Sequence, residues 1–437
     1  MSALAQFHAM GGGVATGSDR FLDQGKAGAI RTALEKVGVS LFPQDGSGIS
    51  EKTGTVVIST AIEADNPELV KAESLNIEIV HRADWLARIV ADHKTIAVAG
   101  TSGKSTVSAM LYTILEAAGK KPSVITGAGL HALEDEGLLG NAKRGDSELL
   151  VIEADESDGT LPKYEAWLGL LLNFGKDHKE LDELERIFSE FHAKCEQFAV
   201  NADEANLKRW SQGAATFGFE SGTLRAEGLA VETWVSRFSV EGVRFKIPLP
   251  GRYNAENALA AICAGRELGV SLEDAANALR TYRGISRRYD FIGEAGGVGV
   301  VDDYAHNPDK IRAVLSAARA QVNGGRLRIV FQPHGFGPTR FLKNDLIEAF
   351  ADRLEDSDTV WFAPIFYAGG TAAKDISSAD LANPLRERGF DARALETRAD
   401  VSSDITREAK EGDLILVLGA RDPSLTQFAE DILGGLA

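Results

Sequence analysis

Residues Ile96–Thr106, read as Ile-Ala-Val-Ala-Gly-Thr-Ser-Gly-Lys-Ser-Thr, constrain the fold of this chain more than any other segment. The apolar run Ile96 to Ala99 predicts a buried strand. Gly100–Thr101–Ser102–Gly103 predicts a tight turn, and Lys104, Ser105 and Thr106 open a helix. Val107, Met110, Leu111, Ile114 and Leu115 recur at helical spacing along it. A strand that turns through two glycines into a helix makes a phosphate cradle, because backbone N–H groups close round an anion at the helix N-terminus. Lys104 would add charge on the terminal phosphates and Ser105 a hydroxyl for Mg²⁺. The spacing departs from the usual GxxxxGK[ST] loop, since Val98 stands where the first glycine is wanted. The plainer alternative is a strand–turn–helix connection carrying a surface lysine.

At 437 residues the chain is long enough for about three domains. An apolar fraction of 44% is ordinary for globular cores. The formal charge of −17 argues against nucleic acid as a general partner. An anionic substrate must therefore meet local positive charge. Cys195 and Cys263, the only cysteines, cannot build a disulfide framework or a cysteine metal cage. No apolar run approaches a membrane span and no signal peptide is evident, so a cytoplasmic location and no membrane partner are expected.

Alternating apolar runs and helical patterns predict an α/β fold throughout. Residues 1–91 form a first domain, with strands at Val56–Ser59 and Ile77–Val80 and a helix near Pro67–Ala72 between them. Residues 92–286 form a second, opening with the phosphate loop. Its run Leu149 to Ile152 ends in Glu153–Ala154–Asp155–Glu156–Ser157–Asp158, and acidic residues at such a strand end are well placed for ligand chemistry. Gly218 to Pro250 reads as β-rich and Ala255–Glu267 as helical. Ser271, with Glu273 and Asp274, reads as the next helix start. Residues 287–437 form a third, again an open α/β sheet. Val298–Val301, Leu327–Phe331, Thr359–Phe362 and Leu414–Leu418 read as its strands. Asn307 caps a helix with Pro308 at its first position, and Ile311, Val314, Leu315 and Ala318 form that helix's buried stripe.

Glu153 ends the strand expected beside the phosphate loop, where a carboxylate can hold Mg²⁺ directly or through water. Asp155, Glu156 and Asp158 read either as ligand groups or as a solvated acidic turn. His178 follows Asn173–Phe174–Gly175–Lys176–Asp177. Mg²⁺ prefers oxygen, so chemistry alone makes His178 a surface histidine. Asn254 reads as a helix N-cap or a ligand group, and Asn257 as an amide able to read an adenine edge. Arg287 and Arg288 are either exposed charge or, near a nucleotide, stabilisers of phosphoryl transfer.

Together, Gly100 to Thr106, Glu153 to Asp158, Asn173 with Asp177–His178, Gly251–Arg252–Tyr253–Asn254–Ala255–Glu256–Asn257, Arg287–Arg288 and Asp303–Tyr304–Ala305–His306–Asn307–Pro308 resemble the Mur ligases over nearly the whole chain. Ser59–Thr60–Ala61–Ile62, Asp65–Asn66–Pro67–Glu68 and Arg82–Ala83 resemble the family's first domain. The resemblance implies three domains: a Rossmann-like N-terminal domain for a uridine nucleotide, a central P-loop ATPase domain, and a C-terminal Rossmann-like domain for the amino acid. It implies ATP and Mg²⁺, with Gly100 to Thr106, Asn254, Asn257, Arg288 and Asp303 on the nucleotide and Ser105, Glu153 and His178 on the metal. Lys104, Arg288 and His306 become the catalytic residues. Ser59, Thr60, Tyr304, His306 and Arg340 become substrate contacts.

The implied reaction joins a UDP-sugar carboxylate to an amino acid or short peptide through an acyl phosphate, in peptidoglycan precursor synthesis. UDP-N-acetylmuramate and L-alanine are the expected pair. A murein peptide-recycling ligase or another Mur ligase paralogue with a different amine, and a non-catalytic nucleotide-binding regulator, are the alternatives. Two departures bear on this. The family's opening strand and Gly-x-Gly-Gly-x-Gly-Met loop are not seen, since Met1–Ser2–Ala3–Leu4–Ala5 resembles the residues just after that loop; a first strand and glycine loop upstream of Met1 are therefore expected. After Gln332–Pro333–His334, Gly335 and Pro338 stand where alanine-adding members carry arginines. Weak binding of L-alanine, with Arg340, Arg287 or Lys343 as partial substitutes, is the expectation.

Overall fold

The structure, a computed structural model, describes residues 1–25, 28–60, 62–156, 159–175, 181–322, 324–367 and 373–436. The chain divides into two compact units. The first holds residues 1–227, 239–245 and 256–285; the second holds residues 228–238, 246–255 and 286–437.

In the first unit the phosphate-loop strand, Lys94–Ala99, lies between the parallel strands Leu149–Glu153 and Leu168–Leu171. Ser123–Ile125 continues the sheet on one side, and Gln197–Asn201 with Ala215–Gly218 on the other. The three central strands are apolar almost end to end, as strands covered on both faces must be. The expected helix is Lys104–Ala117, and all five residues of its stripe are fully buried. Two smaller parallel pairs precede this sheet. Thr55–Ile58 with Glu78–His81 matches the expected strand–helix–strand, its helix running Pro67–Ser74. The pair Ala15–Gly17 with Val39–Leu41 was not anticipated. The β-rich stretch resolves into Leu224–Glu232, Val235–Val240 and Val243–Ile247. The expected cap at Ser271 also forms, its hydroxyl accepting from the N–H of Asp274.

The second unit is built on a six-stranded sheet. Its order is Asp290–Ala295, Val298–Asp303, Leu414–Gly419, Leu327–Gln332, Thr359–Phe362 and Asp391–Ala394. Only the first strand is antiparallel to its neighbour. Side chains alternate between faces. Val301, Ile329, Phe331, Leu416 and Leu418 join one core with Ile311, Val314 and Phe350. Val300, Val330, Trp361, Ile415 and Val417 join another with Val401, Phe428 and Ile432. Asn307 caps helix Pro308–Arg319 as expected, its Oδ1 accepting from the N–H of Lys310 at 3.0 Å. Such a cap is worth about 1 kcal/mol. The parallel strands deliver Asp303, Gln332 and Gly419 to one edge, the carboxyl end where ligands bind in open α/β sheets.

Candidate active site

In the first unit the site begins with two backbone constraints. Gly100 has φ +137°, and a Cβ there would lie 3.1 Å from the backbone oxygen of Asn173. Gly103 has φ +84°, and a Cβ there would lie 2.3 Å from Asn257 Oδ1. Neither position tolerates a side chain, so the loop can wrap closely only with glycine. Asn257 thus lies against the loop. Thr101, Ser105 and Thr106 are buried, while Ser102 and Lys104 are partly exposed.

Lys104 Nζ donates to the Gly100 carbonyl at 2.8 Å and to Glu156 Oε2 at 2.7 Å, with Asp155 Oδ1 at 3.5 Å. Burial pulls the ammonium pKa down, but Glu156, Asp155 and Glu153 outweigh it and hold the pKa above its usual value. The Glu156 carboxyl is shifted upward, because its own burial outweighs the attraction of Lys104. Glu156 is only 3% exposed, so the solvated-turn reading fails for this residue. An acidic run looks solvated in sequence, and only the fold reveals that one of its members is paired inward.

Ser105 Oγ donates to Glu153 Oε2 at 2.8 Å, and the N–H of Gly127 donates to the same oxygen at 2.8 Å. Two hard oxygen donors therefore sit together, one in the first turn of the helix and one at the end of strand Leu149–Glu153, a donor chemistry that suits Mg²⁺. His178, with Ser157, Asp158, Lys176 and Asp177, lies outside the described residues, as does Ala61. Ser59 follows directly on strand Thr55–Ile58, with Thr60 exposed beside it.

Asn173, in sequence no more than the start of the run that leads to His178, grips the loop on both sides with its side chain. Oδ1 accepts from Thr101 Oγ1 at 3.0 Å and from the N–H of Ser102 at 2.8 Å. Nδ2 donates to the Ser102 carbonyl at 3.0 Å. Its position just beyond strand Leu168–Leu171, which runs parallel to the loop strand, was the available signal.

In the second unit Asn254 is not an N-cap. The helix begins at Arg252, and Asn254 Nδ2 donates to the Pro250 carbonyl at 2.8 Å from inside the first turn. The two adjacent arginines are both partly buried. Arg287 has φ +61° and is consumed locally. Its guanidinium reaches the Asp302 carboxylate (Nε–Oδ2 3.3 Å), the Gly419 carbonyl at 2.7 Å and the Asp422 carbonyl at 3.1 Å. It therefore cannot also stand in for a missing arginine. Arg288 lies over the Tyr304 ring at 4.4 Å.

Asp303 is buried and accepts from the N–H of Tyr289 and of Ala305, each at 2.7 Å. Burial pushes its carboxyl up to about 6, although Arg288 and the two N–H groups pull the other way. His306 Nδ1 lies 2.8 Å from the Tyr304 carbonyl, which assigns that nitrogen as the donor and leaves the lone pair of the neutral ring on Nε2. His306 also packs edge-on to His334 at 5.3 Å. Arg340 is held by Asp375 and the Ala373 carbonyl, and Lys343 lies 3.9 Å from Asp380.

Comparison with known proteins places the chain in a family. Residues 1–94 match the Mur ligase family catalytic domain, 98–265 the Mur ligase middle domain, and 287–421 the Mur ligase glutamate ligase domain. A UDP-N-acetylmuramate–L-alanine ligase of Streptomyces griseus is 33% identical over 100% of this chain and 95% of its own length. The chain belongs to the Mur ligase family. A second such relative, from Synechococcus, is 34% identical over 100% of this Mur ligase and 94% of its own length. Among solved structures, a UDP-N-acetylmuramate–alanine ligase of Thermotoga maritima shares the fold of this Mur ligase with TM-score 0.82, at 24% identity over 99% of this chain and 96% of that one. A murein peptide ligase of Psychrobacter arcticus shares it with TM-score 0.68, at 21% identity over 100% and 96%. Among the described residues no helix is long and apolar enough to cross a membrane.

Proposed function

We propose that this Mur ligase is an ATP-dependent, ADP-forming enzyme that joins the carboxylate of UDP-N-acetylmuramate to L-alanine in the cytoplasm, with domains at 1–91, 92–286 and 287–437. The observation that carries the reading is the loop at Gly100–Thr106 with Lys104 at its helix start and the Ser105–Glu153 pair beside it. The acid's oxygen attacks the γ-phosphorus, the bridging bond to the β-phosphate breaks, and ADP leaves. The amine nitrogen then attacks the acyl carbon, inorganic phosphate departs, and the nitrogen loses a proton.

Both steps bring anions together, so positioning and charge neutralisation dominate. Lys104 and Arg288 neutralise charge on the phosphates, Asn254, Asn257 and Asp303 contact the nucleotide, and His306 and Tyr304 approach the amine. Ser59 and Thr60 serve the acid, and Arg340 an incoming carboxylate. Ser105 and Glu153, with His178 by resemblance, would hold Mg²⁺, which when bound neutralises phosphate charge. Glu153→Ala is expected to raise the Mg²⁺ concentration for half-maximal ADP release about 10–100-fold. A Mg²⁺ titration of the coupled assay checks this, and an unchanged midpoint overturns the metal role.

A second reading, with a peptide as the amine, is favoured by one observation. Gly335 has φ +69°, with Pro338 Cδ 3.2 Å from where its Cβ would be. The backbone is thus shaped for glycine where alanine-adding relatives are expected to carry arginine. Each lost charge-assisted contact is worth roughly 1.5–3 kcal/mol. The deciding experiment is ADP release with UDP-N-acetylmuramate and a panel of amino acids and short peptides. L-alanine is expected to support turnover at a raised KM. A peptide with the highest kcat/KM would favour the second reading, and no amine-dependent ADP release would refute both.

A further inference from the structure

We propose that Asn173 is a positioning residue for the nucleotide phosphates, a latch that holds the Thr101–Ser102 peptide in its phosphate-binding conformation; this rests on the nucleotide reading above. A helix that starts at Lys104 leaves its first N–H groups without intrahelical partners, and these are the groups that would face an anion. Their direction depends on the turn before them. Asn173 occupies both the N–H and the carbonyl of Ser102, and it also binds the Thr101 hydroxyl. The Ser102 N–H fixes the Thr101–Ser102 peptide, the Ser102 carbonyl fixes the Ser102–Gly103 peptide, and the Thr101 hydroxyl fixes the side chain beside them, so one amide holds two successive peptides of the turn.

A second, independent observation fixes where the latch acts. The backbone of Asn173 lies so close to Gly100 that a Cβ there would meet its oxygen at 3.1 Å and its nitrogen at 3.2 Å. The preceding residue is tied to the loop strand as well, the N–H of Leu172 donating to the Ala99 carbonyl at 3.0 Å. The loop therefore lies on the 172–173 backbone, and the Asn173 amide reaches across its middle. An alanine at 173 keeps the backbone contacts and removes the amide alone.

The test is equilibrium binding of ADP with Mg²⁺, together with steady-state kinetics, on the wild type, Asn173→Ala, Thr101→Val and the double variant. Asn173→Ala, which removes all three hydrogen bonds to the turn, is expected to weaken ADP binding and raise KM for ATP by about 10–100-fold. KM for L-alanine should stay near the wild-type value. Thr101→Val, which removes one of the three bonds, should have the smaller effect, and the double variant should fall short of the sum because the bond is shared. Wild-type ADP affinity in Asn173→Ala would overturn the proposal. So would equal KM changes for every substrate accompanied by a matching fall in Tm. Wild-type protein that binds no ADP would instead sink the nucleotide reading and the latch with it.

Discussion

Lys104→Ala should lower ADP release by on the order of 10²–10³-fold or more, the usual cost of losing one preorganised electrostatic group. The fold will register the change too. In the wild type Lys104 neutralises Glu156, whose side chain is 4% exposed. Breaking such a pair typically costs about 3–5 kcal/mol, because the remaining charge is buried alone. Glu156 will escape part of that cost by taking a proton, since its pKa is already shifted upward by burial. A carboxyl with a raised folded-state pKa contributes stability that is present below its unfolded value and lost as pH rises through the folded value. The Tm deficit of Lys104→Ala should therefore grow from acid toward neutral pH. The double variant Lys104→Ala/Glu156→Gln separates the two roles. It should recover Tm and remain inactive. Near-wild-type turnover by Lys104→Ala would sink the assignment, and a double variant no more stable than the single one would contradict the buried-pair account.

Asp303→Ala should destabilise the second unit by roughly 3–5 kcal/mol, since two buried N–H groups lose charge-assisted acceptors. Both bonds lie close to Arg288, and the backbone on either side of it, at Arg287 and Tyr289, has positive φ. Such conformations are costly unless held. Turnover is expected to fall as well, because Arg288 loses its fixed backbone frame. Asp303 also titrates within reach. Its carboxyl is pushed from 3.8 to about 6, so its contribution is fully present below pH 3.8 and is lost as pH rises through about 6. The span is about 3 kcal/mol. Asp303→Asn removes this titration and keeps one acceptor. The stability gap between the wild type and Asp303→Asn should narrow from pH 4 to pH 7 in urea unfolding. A gap that widens would contradict the raised pKa.

What was legible in the sequence was what periodicity and strand ends encode. The phosphate-loop strand, its helix and the Asn307 and Ser271 caps all follow from patterns that local physics enforces. Three-residue strands such as Ala15–Gly17 and Val39–Leu41 carry too few residues to show a period. Asn254 was ambiguous because an asparagine near a helix start looks alike whether it accepts as a cap or donates backward from the first turn. The inward turn of Glu156 and the two-sided grip of Asn173 depend on which strands are neighbours, and no local pattern carries that.

The contrast between Arg287 and Arg288 also bears on how this protein can be engineered. A dipeptide of identical residues invites treatment as one positive patch, with either member free to vary if the other is kept. Arg287 works instead as an internal cross-brace, its fork joining Asp302 to the carbonyls of Gly419 and Asp422. A lysine there keeps the charge but not the planar fork, whose nitrogens reach three separate acceptors. A variant library that randomises the pair together would report a single averaged intolerance and hide two unrelated demands, one on rigidity and one on chemistry.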